Sequence, residues 1–366
     1  MIGLFKQIDK LLGTPLCYLL GIVNLLNPKT SICPDQIKKI LIVTWIGLGD
    51  VILTLPTVLA IRKRYPDAKI VYFTTPRAQM PLKYIPGIDN IISYDITGKD
   101  KGIAGLLRII KQLRREKFDI AVELAQRYRL ISLITFWAGI PHRIGFGVPG
   151  QGREWLLSQT VPYVWPMHEA EVFGKVSELI DAPIYQHSLP PLTLPPTPSI
   201  LNENTKRPTI VIHIGTGPAL KTRQWSANKF SELIDKLMDR YGGAIILTGA
   251  KEDLLLAQTI QQNSGKPITN LVGKTTLEHL YKVFEEANLV ISMDTGPMHL
   301  AAMTDTPTLG IFLVSFPEKW RPYGNKHRYI YNGPSIDPNH PRQHPPISAI
   351  KDIAVNEVIE MVSRMI

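Results

Sequence analysis

NLVISMDTGPMHLAA, residues 288–302, joins an apolar strand-like run to a helix-like one. A carboxylate (Asp294), a hydroxyl (Thr295), a glycine (Gly296), a proline (Pro297) and a histidine (His299) arrive together at the junction. In an open α/β sheet, the place where a parallel strand hands over to a helix is where ligands bind. Thr295 and Gly296 can present backbone N–H groups beside the positive end of a helix dipole, a setting suited to phosphate or diphosphate. Pro297 fits a first helical turn, where its missing donor would be unpaired anyway. The residues also admit a plainer reading, in which Asp294 caps the helix and His299 packs or bonds locally.

Working outward, short apolar runs of the kind found in buried parallel strands recur at 40–44, 69–73, 119–123, 209–214, 244–248, 289–292 and 308–313. Helical periodicity lies between them at 51–65, 103–117, 227–241 and 277–287. Strand alternating with helix predicts an α/β chain of parallel sheets with crossover helices. The alternation runs twice, interrupted at 188–208, where LPPLTLPPTPS (189–199) can be neither helix interior nor central strand. The predicted organisation is a Rossmann-like domain over 1–185, a Pro-rich linker over 186–208 and a second Rossmann-like domain over 209–366. A last helix near 355–366 is expected to pack back on the first domain.

The length of 366 residues suits two domains, each able to bury a core. With 45% hydrophobic and 20% charged residues the chain is globular rather than disordered. The formal charge of +10 calls for an acidic partner. Nucleic acid ranks last, because the basic residues are dispersed and lack interleaved aromatics. A phosphorylated substrate and an anionic membrane both remain. Cys17 and Cys33 are the only cysteines, with no CxxC pair and no Cys/His cluster of metal spacing, which argues against a disulfide framework or zinc site and fits a reducing cytoplasm. The run 11–26 (LLGTPLCYLLGIVNLL) is nearly all apolar and follows Lys6 and Lys10. It falls short of a bilayer span, Gly13, Pro15 and Gly21 interrupt it, and no small-residue cleavage site follows. Two readings fit it: a helix at the membrane interface, or a segment packed on the first domain.

The first round opens with KILIVTWIGLGD (39–50), a buried strand followed by a glycine turn and an acid at a helix start. Gly47 and Gly49 allow a tight turn and close approach of a ligand to the backbone. A dinucleotide fingerprint would place a third glycine where Ile52 stands, which counts against a dehydrogenase. On the residues alone, Asp50 is either an N-terminal helix cap or a carboxylate at the carboxyl end of the first strand, placed for acid–base work.

The DTGPMHLAA string resembles the donor-site signature of glycosyltransferase family 9, the bacterial lipopolysaccharide heptosyltransferases, whose pattern D-T-G-x-x-H-x-A-A is met without departure at 294–302. The segment 39–70 is similar to the family's N-terminal signature, a glycine-aspartate pair before a proline-containing helix. The resemblance implies a GT-B architecture, two Rossmann-like domains facing across a cleft. It implies Asp50 as general base of an inverting transfer, most simply of heptose from ADP-heptose onto a lipopolysaccharide core or related glycan. The nucleotide sugar would be a co-substrate and no cofactor would be needed. Metal-dependent transferases often carry a DxD pair, and none sits at a suitable turn here.

The second round begins THE strand-and-loop TIVIHIGTGPALKTRQW (209–225), placing Lys221 and Arg223 where a diphosphate would be reached. The family usually has lysine two residues before tryptophan-proline; this chain has Arg223 before Trp225-Ser226, so the choice between Lys221 and Arg223 as diphosphate contact stays open. LTGAKED (247–253) resembles the segment near the nucleotide ribose, which implies Glu252 or Asp253 as hydroxyl acceptor. With Asp294, Thr295, Gly296 and His299 these form the implied donor site. GIPHRIGF (139–146) and MHEA (167–170) resemble acceptor-side stretches, so Arg127, Arg129, His142, Arg143 and His168 are candidates to meet a phosphorylated or lipid-linked glycan. Such an acceptor implies a cytoplasmic enzyme working at the cytoplasmic face of the inner membrane, in peripheral contact with it. The alternatives are a GT-B enzyme with another donor, such as an epimerase, and a non-catalytic nucleotide-binding module.

Overall fold

A computed structural model describes residues 2–25, 34–45, 47–201, 205–217, 223–337, 350 and 352–366. The chain divides into two compact units, Met1–Val164 with Glu169–Gln186, and Trp165–His168 with His187–Ile366.

The first unit is built on six strands, β1 (Lys39–Val43), β2 (Lys69–Thr74), β3 (Asn90–Ser93), β4 (Ile120–Glu123), β5 (His142–Gly147) and β6 (Gln159–Pro162). They lie parallel in the order β3-β2-β1-β4-β5-β6, so the order reverses between β1 and β4. The central strands β1 and β4 are buried and mostly apolar because helices cover both faces, with Lys39 and Glu123 the exceptions at their ends. Those helices are α1 (Ile2–Leu25), α2 (Leu48–Leu53), α3 (Leu55–Arg64), α4 (Gly102–Glu116), α5 (Arg129–Trp137) and α6 (Glu169–Ser177). On one face Ile109 and Leu113 of α4 and Ile131 and Ile134 of α5 pack on Leu41, Val43 and Val71.

The helix expected over 51–65 is two helices, α2 and α3, parted at Thr54. Pro56, in the first turn of α3, has no N–H to continue a ladder from α2, and the Thr54 hydroxyl turns back to donate to the Val51 carbonyl at 2.7 Å. The N-terminal helix α1 packs against α5. The Asp9 carboxylate accepts the Arg129 and Leu130 backbone N–H groups at 3.1 and 2.9 Å, so a residue of α1 caps the first turn of α5.

The second unit repeats the plan with β7 (Thr209–His213), β8 (Ala244–Thr248), β9 (Thr269–Asn270), β10 (Leu289–Met293), β11 (Thr308–Ile311) and β12 (Arg328–Ile330). The parallel order is β12-β11-β10-β7-β8-β9, and here the reversal falls between β7 and β10. Its helices are α7 (Ala227–Tyr241), α8 (Leu254–Asn263), α9 (Leu277–Glu286), α10 (Gly296–Ala302), α11 (Pro317–Trp320) and α12 (Val355–Val362). The last helix, expected on the first domain, lies in the second unit: α12 packs on α7, with Val358, Ile359 and Val362 in one core with Leu233 and Leu237. Its apolar stripe matches the neighbouring surface of its own sheet layer. The Pro-rich stretch expected as a linker is likewise part of the second unit from His187 onward. Leu189 and Leu192 are buried, and the Leu192 N–H donates to the Tyr281 hydroxyl at 3.1 Å.

Candidate functional site

Each unit presents chemistry-bearing residues at the carboxyl edge of its sheet, beside the strand-order reversal, which is the ligand position in doubly wound folds. In the first unit the chain leaves β1 through Gly47 and enters α2, with Asp50 at the third helical position. Asp50 Oδ2 accepts the Gly47 N–H at 3.2 Å, so the carboxylate does cap the helix. It is half-buried, at the carboxyl end of the central strand. Its negative charge helps to raise the buried Tyr72 phenol, pushed up to about 12 chiefly by burial, and to raise Tyr128, also chiefly by burial.

Across the reversal, β4 ends at Glu123, which is fully buried with Arg153 at 2.8 Å. Ser132 and Thr135 of α5 also donate to Glu123, and Arg153 donates to the Ala125 carbonyl. This network fixes the loop that carries the exposed Arg127 out of β4. Gln126 donates to Glu169 Oε1 at 3.4 Å, and the Tyr163 hydroxyl donates to Glu169 Oε2 at 2.5 Å. Nothing in the sequence spacing links Glu123 to Arg153, and sequence reasoning missed both.

The other acceptor candidates disperse. Arg129 is buried against α1, donating to Asp9 at 3.3 Å and to the Thr14 hydroxyl at 2.8 Å. Arg143 is buried too, donating to the Leu156 carbonyl at 2.7 Å and to Asn24 Oδ1 of α1 at 3.1 Å. His142 opens β5 and pairs in register with Ile120, which pairs with Ile40, so it sits at the amino edge of the sheet, the end opposite Asp50. Burial, with Arg143 beside it, lowers its pKa. His168, expected with the first domain, belongs to the second unit, where it stacks on Tyr323 at 4.7 Å and bonds the Arg321 carbonyl at 2.9 Å.

In the second unit the loops after β7 and β10 meet. Arg223 Nη1 donates to Asp294 Oδ2 at 2.9 Å across the reversal point. Burial raises the Asp294 carboxyl above its usual range, while the Arg223 guanidinium opposes the rise. Thr295 is the N-cap of α10 in extended conformation, with Gly296 and Pro297 opening the helix. His299 lies on the inner side of α10, 3% exposed, its pKa lowered to about 3 by burial and by the neighbouring His168 and His327. It is a neutral, packed imidazole. Lys221 lies outside the described residues.

The loop after β8 separates the two acids left open by sequence. Glu252 is exposed. Asp253 is buried and structural: Oδ2 accepts the Ala250 N–H at 3.0 Å and Oδ1 accepts from Gln224 at 3.4 Å. Gln224 also donates to the Ile214 carbonyl at 3.1 Å, so Asp253 ties the β8 loop to the β7 loop. Gly215 belongs to this contact, since a Cβ there would stand 2.4 Å from Asp253 Oδ2. Among the described residues no three His, Cys, Asp or Glu side chains gather as metal ligands.

Two doubly wound parallel units, each with its polar residues at the strand-order reversal, define the GT-B fold class. The chain belongs to glycosyltransferase family 9 (heptosyltransferase), whose sequence profile matches residues 106–345. It is 28% identical over 296 residues to lipopolysaccharide heptosyltransferase 3 of Escherichia coli, covering 76% of this chain and 84% of that one. Among solved structures, a family 9 glycosyl transferase from Veillonella parvula superposes with a TM-score of 0.75 at 21% identity, over 92% of this chain and 99% of the other. The E. coli ADP-heptose lipopolysaccharide heptosyltransferase II gives 0.68 at 21% identity, over 89% and 98%.

Proposed function

We propose that this glycosyltransferase moves heptose from ADP-heptose onto a lipopolysaccharide core or related glycan with inversion at the anomeric carbon, without a metal. The observation that carries the reading is the Arg223–Asp294 pair at the reversal point of the second sheet. A cation there meets the charge that develops on the departing diphosphate. Thr295 and Gly296 stand beside it, and Glu252 is placed at the mouth of the next loop for ribose hydroxyls. Asp50, at the matching edge of the first sheet, takes the proton from the acceptor hydroxyl as it attacks. Bringing donor and acceptor into register is the largest service the protein performs. Arg127 is the acceptor candidate on that same edge. The similarity to lipopolysaccharide heptosyltransferase 3 and to an ADP-heptose lipopolysaccharide heptosyltransferase supports heptose and ADP-heptose. A lipid-linked acceptor places the work at the cytoplasmic face of the inner membrane.

The test is direct. Purified protein is incubated with ADP-heptose and a lipid A inner-core acceptor, and ADP release and product mass are followed. Transfer giving the inverted anomer by NMR supports the reading. Transfer only from UDP- or GDP-sugars, or epimerisation without an acceptor, overturns it.

A further inference from the structure

The helix α1 is inside out for a water-soluble surface. Its face against the protein carries Asp9, Gly13, Cys17, Gly21 and Asn24, all buried. Its outward face carries Leu11, Leu12, Leu19, Ile22, Val23 and Leu25, exposed by 74%, 62%, 62%, 58%, 50% and 57%. The burial recurs at helical spacing, so the exposure is a continuous stripe along a helix of 24 residues, about 36 Å long. The inner face is well held. A Cβ at Gly21 would stand 2.5 Å from Trp155 Cβ, and Asn24 donates to the Trp155 carbonyl at 2.8 Å while accepting from Arg143. Small residues allow close approach and polar ones bond across, so α1 is docked as built and its large side chains are left facing out.

A second apolar surface lies on α4, which packs beside α5, the helix that α1 packs against. Trp137, at the end of α5, packs against the Cys17, Leu133 and Leu156 cluster and also lines a groove of about 790 Å³ along α4. That groove is apolar through Leu106, Leu107 and Ile110 and basic through Lys111, Arg114 and Arg115. The acids described on these two helices both turn to internal partners, Asp9 to Arg129 and Glu116 to Lys39. Among the described residues of these two helices, both carboxylates are ion-paired, so the surface combines apolar side chains with cations.

We infer that the outward stripe of α1, together with the basic end of α4, docks on the interfacial layer of an anionic bilayer. An amphipathic helix with one apolar face and flanking cations binds by burying that face at the headgroup boundary while the cations meet lipid phosphates. The helix exceeds the run read from the sequence, and Gln7–Leu25 is, contrary to that reading, long and apolar enough by composition to cross a membrane, but the buried bonds of Asp9 and Asn24 hold it along the first unit, so it lies in the interface. The inference deepens the function above and rests on it only for the choice of membrane.

Flotation of the full chain with vesicles tests it. Protein should rise with vesicles of equal parts phosphatidylcholine and phosphatidylglycerol and far less with phosphatidylcholine alone. Leu11→Gln, Leu19→Gln and Ile22→Gln combined should cut the bound fraction about tenfold or more, and Lys111→Glu with Arg115→Glu should weaken binding to the anionic vesicles only. Both variants should keep the parent unfolding temperature and transfer to a water-soluble, delipidated acceptor. Docking is overturned if the parent stays down with anionic vesicles, if the triple variant floats like the parent, or if the protein resists alkaline carbonate extraction as a spanning helix does. It is also overturned if light scattering finds a dimer that the triple variant converts to a monomer without any vesicle binding. Intact flotation in a protein that transfers no heptose counts against the function above and leaves the docking standing.

Discussion

Arg223 and Asp294, 71 positions apart in the chain, meet at 2.9 Å where the loops after β7 and β10 converge. The carboxylate is 6% exposed and the arginine 22%, so the aspartate is the more deeply buried partner of the pair. Hydrogen bonds to charged groups are worth about 1.5–3 kcal/mol, so Arg223→Ala should weaken ADP binding about 10- to 100-fold by calorimetry. Arg223→Lys should fall between, because it keeps the charge and loses the planar fork. Adding Asp294→Asn to Arg223→Ala should recover part of the lost thermal stability, since the double variant no longer buries a lone carboxylate.

Asp50 carries two roles that one substitution cannot separate. Asp50→Ala removes both the acceptor for the Gly47 N–H and the proposed base. Asp50→Asn retains an oxygen to cap the helix but cannot take up a proton. Both should reduce turnover about 100-fold or more while leaving ADP affinity nearly unchanged. Near-parental turnover in the asparagine variant would remove the base role and leave only the cap.

Three buried histidines make the second unit acid-sensitive. Burial lowers His213 and His327 to about 4 and His299 to about 3, from an ordinary 6.5. Their folded values lie below the unfolded one, so the unfolded chain binds more protons between pH 6.5 and about 4. Their stabilisation is whole above pH 6.5 and lost as pH falls through that window, by about 3 kcal/mol for His213 alone. Asp294, raised by burial, acts in the opposite sense. Denaturant melts at stepped pH should show the loss, and His213→Gln should flatten the slope.

The Glu123–Arg153 pair has 0% exposure on both sides. Arg153→Met should destabilise the first unit by about 3–5 kcal/mol, because it strands a buried carboxylate. Glu123→Gln added to it should restore much of that loss. Calorimetric melting of the single and double variants checks both.

Much of the architecture could be read from the chain. The runs at 40–44, 209–214 and 289–292 became central strands β1, β7 and β10, because strands covered on both faces are nearly continuous in apolar residues. The outer strands Asn90–Ser93, Gln159–Pro162, Thr269–Asn270 and Arg328–Ile330 carried no such signal. An edge or near-edge strand buries fewer side chains and reads as loop. Proline and glycine marked the turn before α2 and the start of α10, yet the break at Thr54 depended on how Pro56 met the preceding turn.

The polar residues divided differently. Motif spacing alone was enough to bring Asp50 and Asp294 to the carboxyl edges of their sheets, because a residue just after a central parallel strand has nowhere else to go. Whether an arginine greets a ligand or braces a helix was decided by packing. Arg129 and Arg143 are drawn into α1 by Asp9 and Asn24, partners about 120 positions away. Asp253 and Glu252 are neighbours in the chain, yet one locks two loops and the other faces solvent. Local pattern encodes which face of a strand or helix is buried. The partner that meets a buried charge is chosen by the tertiary fold, since its free energy comes from groups that only folding brings within reach.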